Sequence, residues 1–581
     1  MLFGKYTGKI ILRYILFFIL GIGALIMVNY FQLEIPEIFG KVVDGINDGT
    51  ILDNNVLLLQ YVRNILIVLC IMFIGRFSWR VFVIGGAINI ETDLRSLMFN
   101  HAEKLSRDYY KQNKTGALMA LFSNDLQIIK NFFSNGTVMI VDFLVLGIFT
   151  LTKMFRLSTK LTVIVLIPSV ILGVAIFFFV SKLDKKFSKQ QKAFENLSDF
   201  TQENFSGLSV VKAFVNEDVE RKKFSTHNAN HVKMNMNIIK YLVAINILLD
   251  LLLSVITILI VMCGGQIILF DGTGLTVGEL LEFMNYFDIL SWPIIAVGQY
   301  LNMRTQAMSS YKRIRNFLDS DVDIVDNNNY VDVNGKIEFR NLSFKYFDSD
   351  VNVLNDVSFT INPGEFVGIL GKTGSGKTTI VDLLLRIYNI DKGMLFIDDK
   401  DIMDISIKSI RDNIGYVPQD NFLFSDTIRN NIGFSGTDYN EDEIVNSAID
   451  SDIHSNIIDF PNQYNTVLGE RGVTLSGGQK QRVSIARALI KDPQIIIFDD
   501  SLSAVDTKTE KKILNNLLKA RRNKTTIMIA SRISTVMYLD KIILVDNGRV
   551  VGVGNHNELL KTSELYRHMV QLQSLESEVS E

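Results

Sequence analysis

Gly371-Lys372-Thr373-Gly374-Ser375-Gly376-Lys377-Thr378 holds the spacing G-x-x-x-x-G-K-[ST]. An apolar run, Glu365 to Leu370, precedes it, and an amphipathic one, Thr379 to Leu385, follows. Strand, glycine loop and helix form the context in which this spacing cradles phosphates. The glycines let backbone N–H groups turn inward around a phosphate chain without Cβ clashes. Lys377 can reach the β- and γ-phosphates, and the Thr378 hydroxyl can ligate Mg²⁺. A second element, Gln494-Ile495-Ile496-Ile497-Phe498-Asp499-Asp500, reads as a buried strand ending in carboxylates. Asp499 stands where a Mg²⁺ partner to the loop belongs. A third, Leu475-Ser476-Gly477-Gly478-Gln479, feeds a basic amphipathic helix, Lys480 to Leu489. Its helix N-terminus would be a second anion site.

Length and composition bound the elements that must position these groups. The 581 residues leave room for several domains. A net charge of −3 gives no sign of a nucleic-acid partner. A 48% hydrophobic fraction points to membrane segments. The two cysteines, Cys70 and Cys263, lie in apolar runs and read as free thiols.

The apolar residues concentrate in the first half. Spans are expected near 14–31, 60–83, 136–155, 159–181, 241–263 and 279–301, the second being interrupted by Arg63, Arg76 and Arg80. A signal peptide competes for the first, but the run is long and lacks a small-x-small cleavage site. The long connections after the second and fourth spans are rich in Lys/Arg, which places them and both termini in the cytoplasm. Helices continuing well past the bilayer are therefore expected. Asp142, Asp250, Asp288, Arg76 and Arg80 fall within spans. They read either as a polar translocation path, whose acidic members would favour cationic substrates, or as helix–helix glue. Trp292-Pro293 would kink the last span.

A membrane domain is thus expected over 1–318, all-α with six spans and long intracellular helices. An Asp/Asn-rich linker over 319–335 leads to an α/β P-loop ATPase domain over 336–575, with a mainly parallel core.

With P-loop, LSGGQ and Asp-ending strand in this order, the chain resembles an ABC transporter. More narrowly it resembles an exporter-type half-transporter, one six-span domain fused ahead of one ATPase domain, in the manner of the degenerate-site subunit of heterodimeric bacterial multidrug exporters. The resemblance implies ATP and Mg²⁺ as cofactors. It gives nucleotide contacts to the residues Gly371 to Thr379, including Lys372, Thr373, Ser375 and Thr379, with Tyr346 stacking on adenine. It gives the Mg²⁺ site to Thr378, Gln419 and Asp499. Leu475, Ser476, Gly477, Gly478 and Gln479 would face the ATP of a second ATPase domain, with Ser503 and Asp506 in the loop that crosses to it. Thr466 to Gly472 resembles the exporter segment that contacts intracellular loops. Ser206 to Phe214 and the region around Lys114-Thr115-Gly116 resemble coupling helices.

Two positions depart from the hydrolytic pattern. The residue after Asp499 is normally Glu, and here it is Asp500. The switch histidine after the strand Thr526 to Ala530 is replaced by Ser531. A carboxylate set back by a methylene misplaces the water-polarising group, and ~1 Å in such a constellation can cost about 10²-fold in rate. Loss of a transition-state donor costs about 3–4 kcal/mol. ATP binding is expected to survive while hydrolysis at this chain's own site is impaired. Because each ATP in this family lies between two ATPase domains, a second half-transporter is required, and the intact signature favours a heterodimer. The expected activity is export of amphiphiles (drugs, lipids or similar) across the cytoplasmic membrane, with the ATPase domain in the cytoplasm. A leader-peptide-processing exporter would need a protease domain, for which no room is expected before Tyr14. An exporter-shaped importer of a siderophore-like ligand and an ATP-binding membrane sensor remain as alternatives.

Overall fold

Long helices follow directly from the apolar runs of the first half. The structure, a computed structural model, describes residues 4–51, 55–113, 115–271, 275–436, 438–469, 472, 474–502 and 507–580. Among the described residues, five stretches are helical, long and apolar enough to cross a membrane: Ile15–Asn47, Val56–Ala102, Thr115–Leu157, Glu217–Phe270 and Val277–Leu318. The expected fourth span falls in the helix Thr159–Ser206, whose start, Thr159–Pro168, is apolar. That helix has 48 residues and the helix Glu217–Gln266 has 50. At roughly 1.5 Å per residue both exceed 70 Å, against a hydrocarbon core of ~30 Å. The helix Val277–Leu318 runs on through Pro293.

The chain divides into two compact units, each continuous in contacts but not in sequence. The first comprises Met1–Glu103 with Thr115–Ser320, and the second Lys104–Lys114 with Asp321–Glu581. Residues 104–114 thus group by contacts with 321–581. In the first unit, Asp44 accepts hydrogen bonds from Thr276 Oγ1 at 2.6 Å and Gly278 N at 2.7 Å. A Cβ on Gly278 would lie 2.1 Å from the Gly40 carbonyl oxygen, so glycine is what lets these two helices approach so closely. Buried Asp125 accepts from Ser310 and Arg313 and ties the third membrane stretch to the last.

Among its described residues the second unit contains two sheets. Strands β1 (Ile337–Phe344), β2 (Leu354–Ile361), β4 (Leu395–Ile397) and β5 (Lys400–Asp401) form an antiparallel sheet in the order β2-β1-β4-β5. Strands β3 (Phe366–Leu370), β6 (Ile414–Val417), β7 (Ile495–Asp499), β8 (Thr525–Ala530), β9 (Lys541–Asp546) and β10 (Arg549–Gly554) form the other, in the order β10-β9-β3-β8-β7-β6. Only the β10–β9 pairing is antiparallel there. Every residue of β3, β7 and β8 is buried, as continuous apolar runs in a doubly covered parallel sheet should be.

The stretch expected as a linker has neither helix nor strand over 321–336, yet it is bound to the second unit. Asn327 and Asn329 side chains donate to the carbonyls of Met403 and Asp404, and Asp326 accepts from Ile407 N. Its Asp/Asn composition serves local hydrogen bonding to loops rather than flexibility.

Candidate nucleotide-binding site

Sheet register gathers the expected site at one edge. Leu370 at the end of β3 pairs with Ala530 of β8, and Asp499 of β7 pairs with Ile529. Val417 of β6 pairs with Phe498. The parallel strands thus deliver Gly371, Ser531, Asp499–Asp500 and Gln419 to their shared carboxyl end, the usual ligand-binding edge of such sheets.

The loop between β3 and the helix Lys377–Leu384 has the backbone that its glycines permit. Gly374 and Gly376 have φ of +82° and +98°. A Cβ on Gly371 would lie 2.2 Å from the Val545 carbonyl oxygen, so no larger residue fits without moving β9. Lys377 Nζ lies within the loop, donating to the carbonyls of Gly371 at 2.8 Å and Lys372 at 2.9 Å. Burial holds its ammonium below the ordinary lysine value, opposed by the Asp500 and Asp499 carboxylates. The Ser375 hydroxyl is buried without a hydrogen-bond partner among the described residues. That buried hydroxyl, the glycine-permitted backbone and the lysine suit a polyphosphate.

Thr378 Oγ1 donates to Asp499 Oδ1 at 3.3 Å, and the Tyr416 hydroxyl to Oδ2 at 3.4 Å. Burial raises the Asp499 carboxyl above its usual range against those two hydrogen bonds. A hydroxyl beside a buried carboxylate is a hard oxygen donor set of the kind Mg²⁺ takes. Gln419 follows β6 and is exposed.

Tyr346 is joined to the loop's helix through its hydroxyl, 2.8 Å from Thr379 Oγ1. Its ring packs edge-on against Phe344 and Tyr388. The Lys111 ammonium lies 4.6 Å from its centroid. Beside it, Arg107 Nη1 donates to both carboxylate oxygens of Asp382, at 3.1 and 2.9 Å. Both cations belong to the segment 104–114, whose short helix is Arg107–Gln112. Lys114, the expected centre of this coupling region, lies outside the described residues. The other expected coupling element is the short helix Leu208–Ala213.

Asp500 has φ of +46°, and its amide donates to the Ile529 carbonyl at 2.9 Å. Ser531 is half-buried, and its carbonyl accepts from Gln573 Nε2 at 3.0 Å. Gln573 Oε1 accepts from Ile533 N at 2.7 Å, so the C-terminal helix Glu564–Ser580 clamps this loop on both sides. Sequence reasoning missed Arg107, Lys111, Asp382, Tyr416 and Gln573. The basic character of the 104–111 stretch hinted at Arg107 and Lys111 alone, and no local signal pointed to Asp382, Tyr416 or Gln573.

The signature residues stand apart from this cluster. Ser476 caps the helix Gly477–Leu489 in a reciprocal box: its hydroxyl accepts from Gln479 N at 3.3 Å and its amide donates to Gln479 Oε1 at 2.9 Å. Leu475 and Val483 bury into a separate helical core with Ile428, Ile444 and Leu468. Ser503 and Asp506 lie outside the described residues, as do Glu470 and Arg471 of the expected exporter segment.

A P-loop at the carboxyl edge of a parallel sheet, a separate signature helix and a preceding set of membrane-length helices define a membrane-anchored P-loop ATPase. Residues 18–294 match the ABC transporter transmembrane region, and residues 354–503 match the ABC transporter family. The chain is 35% identical to a probable multidrug resistance ABC transporter ATP-binding/permease protein, YheI, of Bacillus subtilis, over 98% of this chain and 97% of that protein. It is 32% identical to the multidrug resistance-like ATP-binding protein MdlA of Escherichia coli, over 96% and 94%. A solved bacterial Atm1-family ABC exporter with ATP bound has a TM-score of 0.77 to it at 25% identity, over 97% and 98% of the two chains. The chain belongs to the ABC transporter family, as an exporter-type half-transporter with its membrane region fused ahead of its ATPase domain.

Proposed function

We propose that this ABC exporter subunit works as one half of a heterodimer, binding ATP at Gly371 to Thr379 while a distinct half-transporter supplies the faster hydrolytic site. The observation that carries the reading is the pairing of Asp500 with Ser531 at the edge where Glu and His are expected. Both backbones are held, Asp500 through Ile529 and Ser531 through Gln573. Rigid anchoring supports the view that the shorter carboxylate does not shift forward to compensate. Tyr346 takes the adenine, and Lys377 with the loop amides takes the phosphates. Thr378, Asp499 and Gln419 would hold Mg²⁺, which supplies charge neutralisation at the β- and γ-phosphates when bound. The capped signature helix offers Ser476 to Gln479 to the partner's nucleotide, with Ser503 and Asp506 in the crossing loop. The multidrug relatives support amphiphiles as substrates, carried across the cytoplasmic membrane with the ATPase unit in the cytoplasm.

Purified alone, the chain should bind ATP and hydrolyse it slowly. Co-purified with its partner, Ser476→Arg should abolish most ATPase activity while Asp500→Asn leaves much of it. The reverse ranking would mean that the sites are assigned backwards, and brisk turnover by this chain alone would overturn the impaired-site reading.

A further inference from the structure

Inside the membrane unit lies a cavity of about 500 Å³ whose wall is charged. Arg76 and Arg80, one helical turn apart and therefore on one face, line it with Asp142 and Asp288. The two carboxylates are not equivalent. Asp142 is buried and committed: Oδ1 accepts from Asn29 Nδ2 at 3.0 Å, and Oδ2 from Trp292 Nε1 at 2.9 Å. Neither guanidinium has an ion-pair partner among the described residues; Arg80 lies only over the Trp79 ring, 5.4 Å from its centroid. Arg80 and Asp142 each begin a wide π-type turn, Arg80–Ile84 and Asp142–Leu146. Such turns interrupt a helix at a cost in stability and recur at functional sites.

Two unpaired guanidinium groups at membrane depth are costly, and that cost falls when an anion meets them. Asp142 accepts from two neutral donors and makes no ion pair with either arginine among the described residues, so the guanidinium pair is left open to an outside anion, against the preference for cations that the acidic residues alone imply. The structure assigns this cavity to amphiphiles bearing an acidic headgroup, a phosphate or carboxylate held by Arg76 and Arg80. The tail lies along Leu25, Val28 and Leu146. Guanidinium forks suit both headgroups. Asp288, which also has no hydrogen-bond partner among the described residues, adds an acceptor for an ammonium or hydroxyl group on the same headgroup. This deepens the exporter reading and rests on it for the claim that the bound molecule is cargo.

The molecule carries its own reporter. Its only two tryptophans are Trp79 and Trp292, and both line the cavity. Full-length protein in phosphatidylcholine nanodiscs is titrated with dodecyl phosphate, dodecyltrimethylammonium and dodecyl maltoside while tryptophan emission is followed. Dodecyl phosphate should bind at least tenfold tighter than the ammonium amphiphile. Arg76→Gln with Arg80→Gln should weaken dodecyl phosphate at least tenfold and leave dodecyl maltoside unchanged; the corresponding Lys pair should retain most of the affinity. Equal or tighter binding of the ammonium amphiphile to the unmodified protein overturns the assignment, as does an unchanged Gln pair. Should the Gln pair fail to reconstitute, the unmodified protein's selectivity decides alone. Adding phosphatidic acid to the discs separates the sources: displacement of dodecyl phosphate by it identifies a lipid headgroup, and no displacement a free amphiphile. ATP-driven uptake into inverted vesicles is scored separately, so binding without transport would sink the exporter reading and leave the ligand class standing.

Discussion

Truncating Arg107 to alanine should loosen the segment 104–114 from the P-loop helix. The Asp382 side chain is 4% exposed and that of Arg107 is 52% exposed. Breaking a fully buried pair costs about 3–5 kcal/mol, and exposed pairs contribute about 0–1 kcal/mol. With one partner half in water, the coupling energy between the two should be about 1–2 kcal/mol. Burial already raises the Asp382 carboxyl, with Arg107 opposing the shift. Without Arg107 the carboxyl therefore rises further. A carboxyl raised on folding makes the folded state lose stability as pH climbs from its unfolded value through the folded one. Arg107→Ala should accordingly be more destabilising at pH 8 than at pH 5, and adding Asp382→Asn should remove that pH dependence. The assay is a double-mutant cycle on the detergent-solubilised chain, with thermal loss of fluorescent-nucleotide binding as readout. About 1–2 kcal/mol corresponds to roughly 2–8 °C for a domain of this size class. Because Asp382 lies four residues beyond Thr378 on one helix, nucleotide affinity should fall with stability. Additivity of the two single changes to within about 0.3 kcal/mol would refute the coupling.

Asp500→Glu combined with Ser531→His should raise steady-state ATP turnover of the chain alone, by up to about 10²-fold if the carboxylate setback dominates; an unchanged rate would place the limitation elsewhere. Gly374→Ala should cost about 1–2 kcal/mol, because φ of +82° is strained for alanine but nothing blocks its Cβ. Gly371→Ala, which drives a Cβ into the β9 backbone, should cost more and abolish ATP binding, as nucleotide titration would show. Asp319, held down to about 2 by the Tyr6 hydroxyl, Arg315 and Lys5, contributes to N-terminal docking above its ordinary range and loses that contribution as pH falls from about 3.8 to about 2. Pepsin cleavage near Tyr6 should therefore accelerate over that window in the unmodified chain, and Asp319→Asn should flatten the change.

What could be read from the residues was local. Gly371 to Thr378 declares its conformation because three glycines, a lysine and a threonine in a strand–helix context admit few alternatives. Leu475 to Gln479 ahead of a basic amphipathic run marks a helix N-terminus, whereas the capping box that Ser476 and Gln479 close there emerged only in the fold. The apolar periods of β3, β7 and β8 reveal buried strands, and the long polar connections reveal helices that outrun a bilayer. Pairings were not legible, because periodicity says which face of an element is buried and not against what. Arg107 and Asp382 are 275 positions apart, and Gln573 reaches Ser531 across 42. The antiparallel sheet was missed for the same reason: β1 pairs with β4 as well as β2, through register that no local pattern encodes.

Asp142 shows how far that difference carries into function. As a letter in an apolar run it reads as a negative charge awaiting a cation. In the fold, Asn29 and Trp292 each donate to one of its oxygens, so it acts as an anchor between helices and makes no ion pair with Arg76 or Arg80 among the described residues. What the cavity offers then depends on which residues are left unpaired, and among the described residues those are Arg76, Arg80 and Asp288. Hydrogen bonds and ion pairs, and not composition alone, decide what a membrane cavity presents.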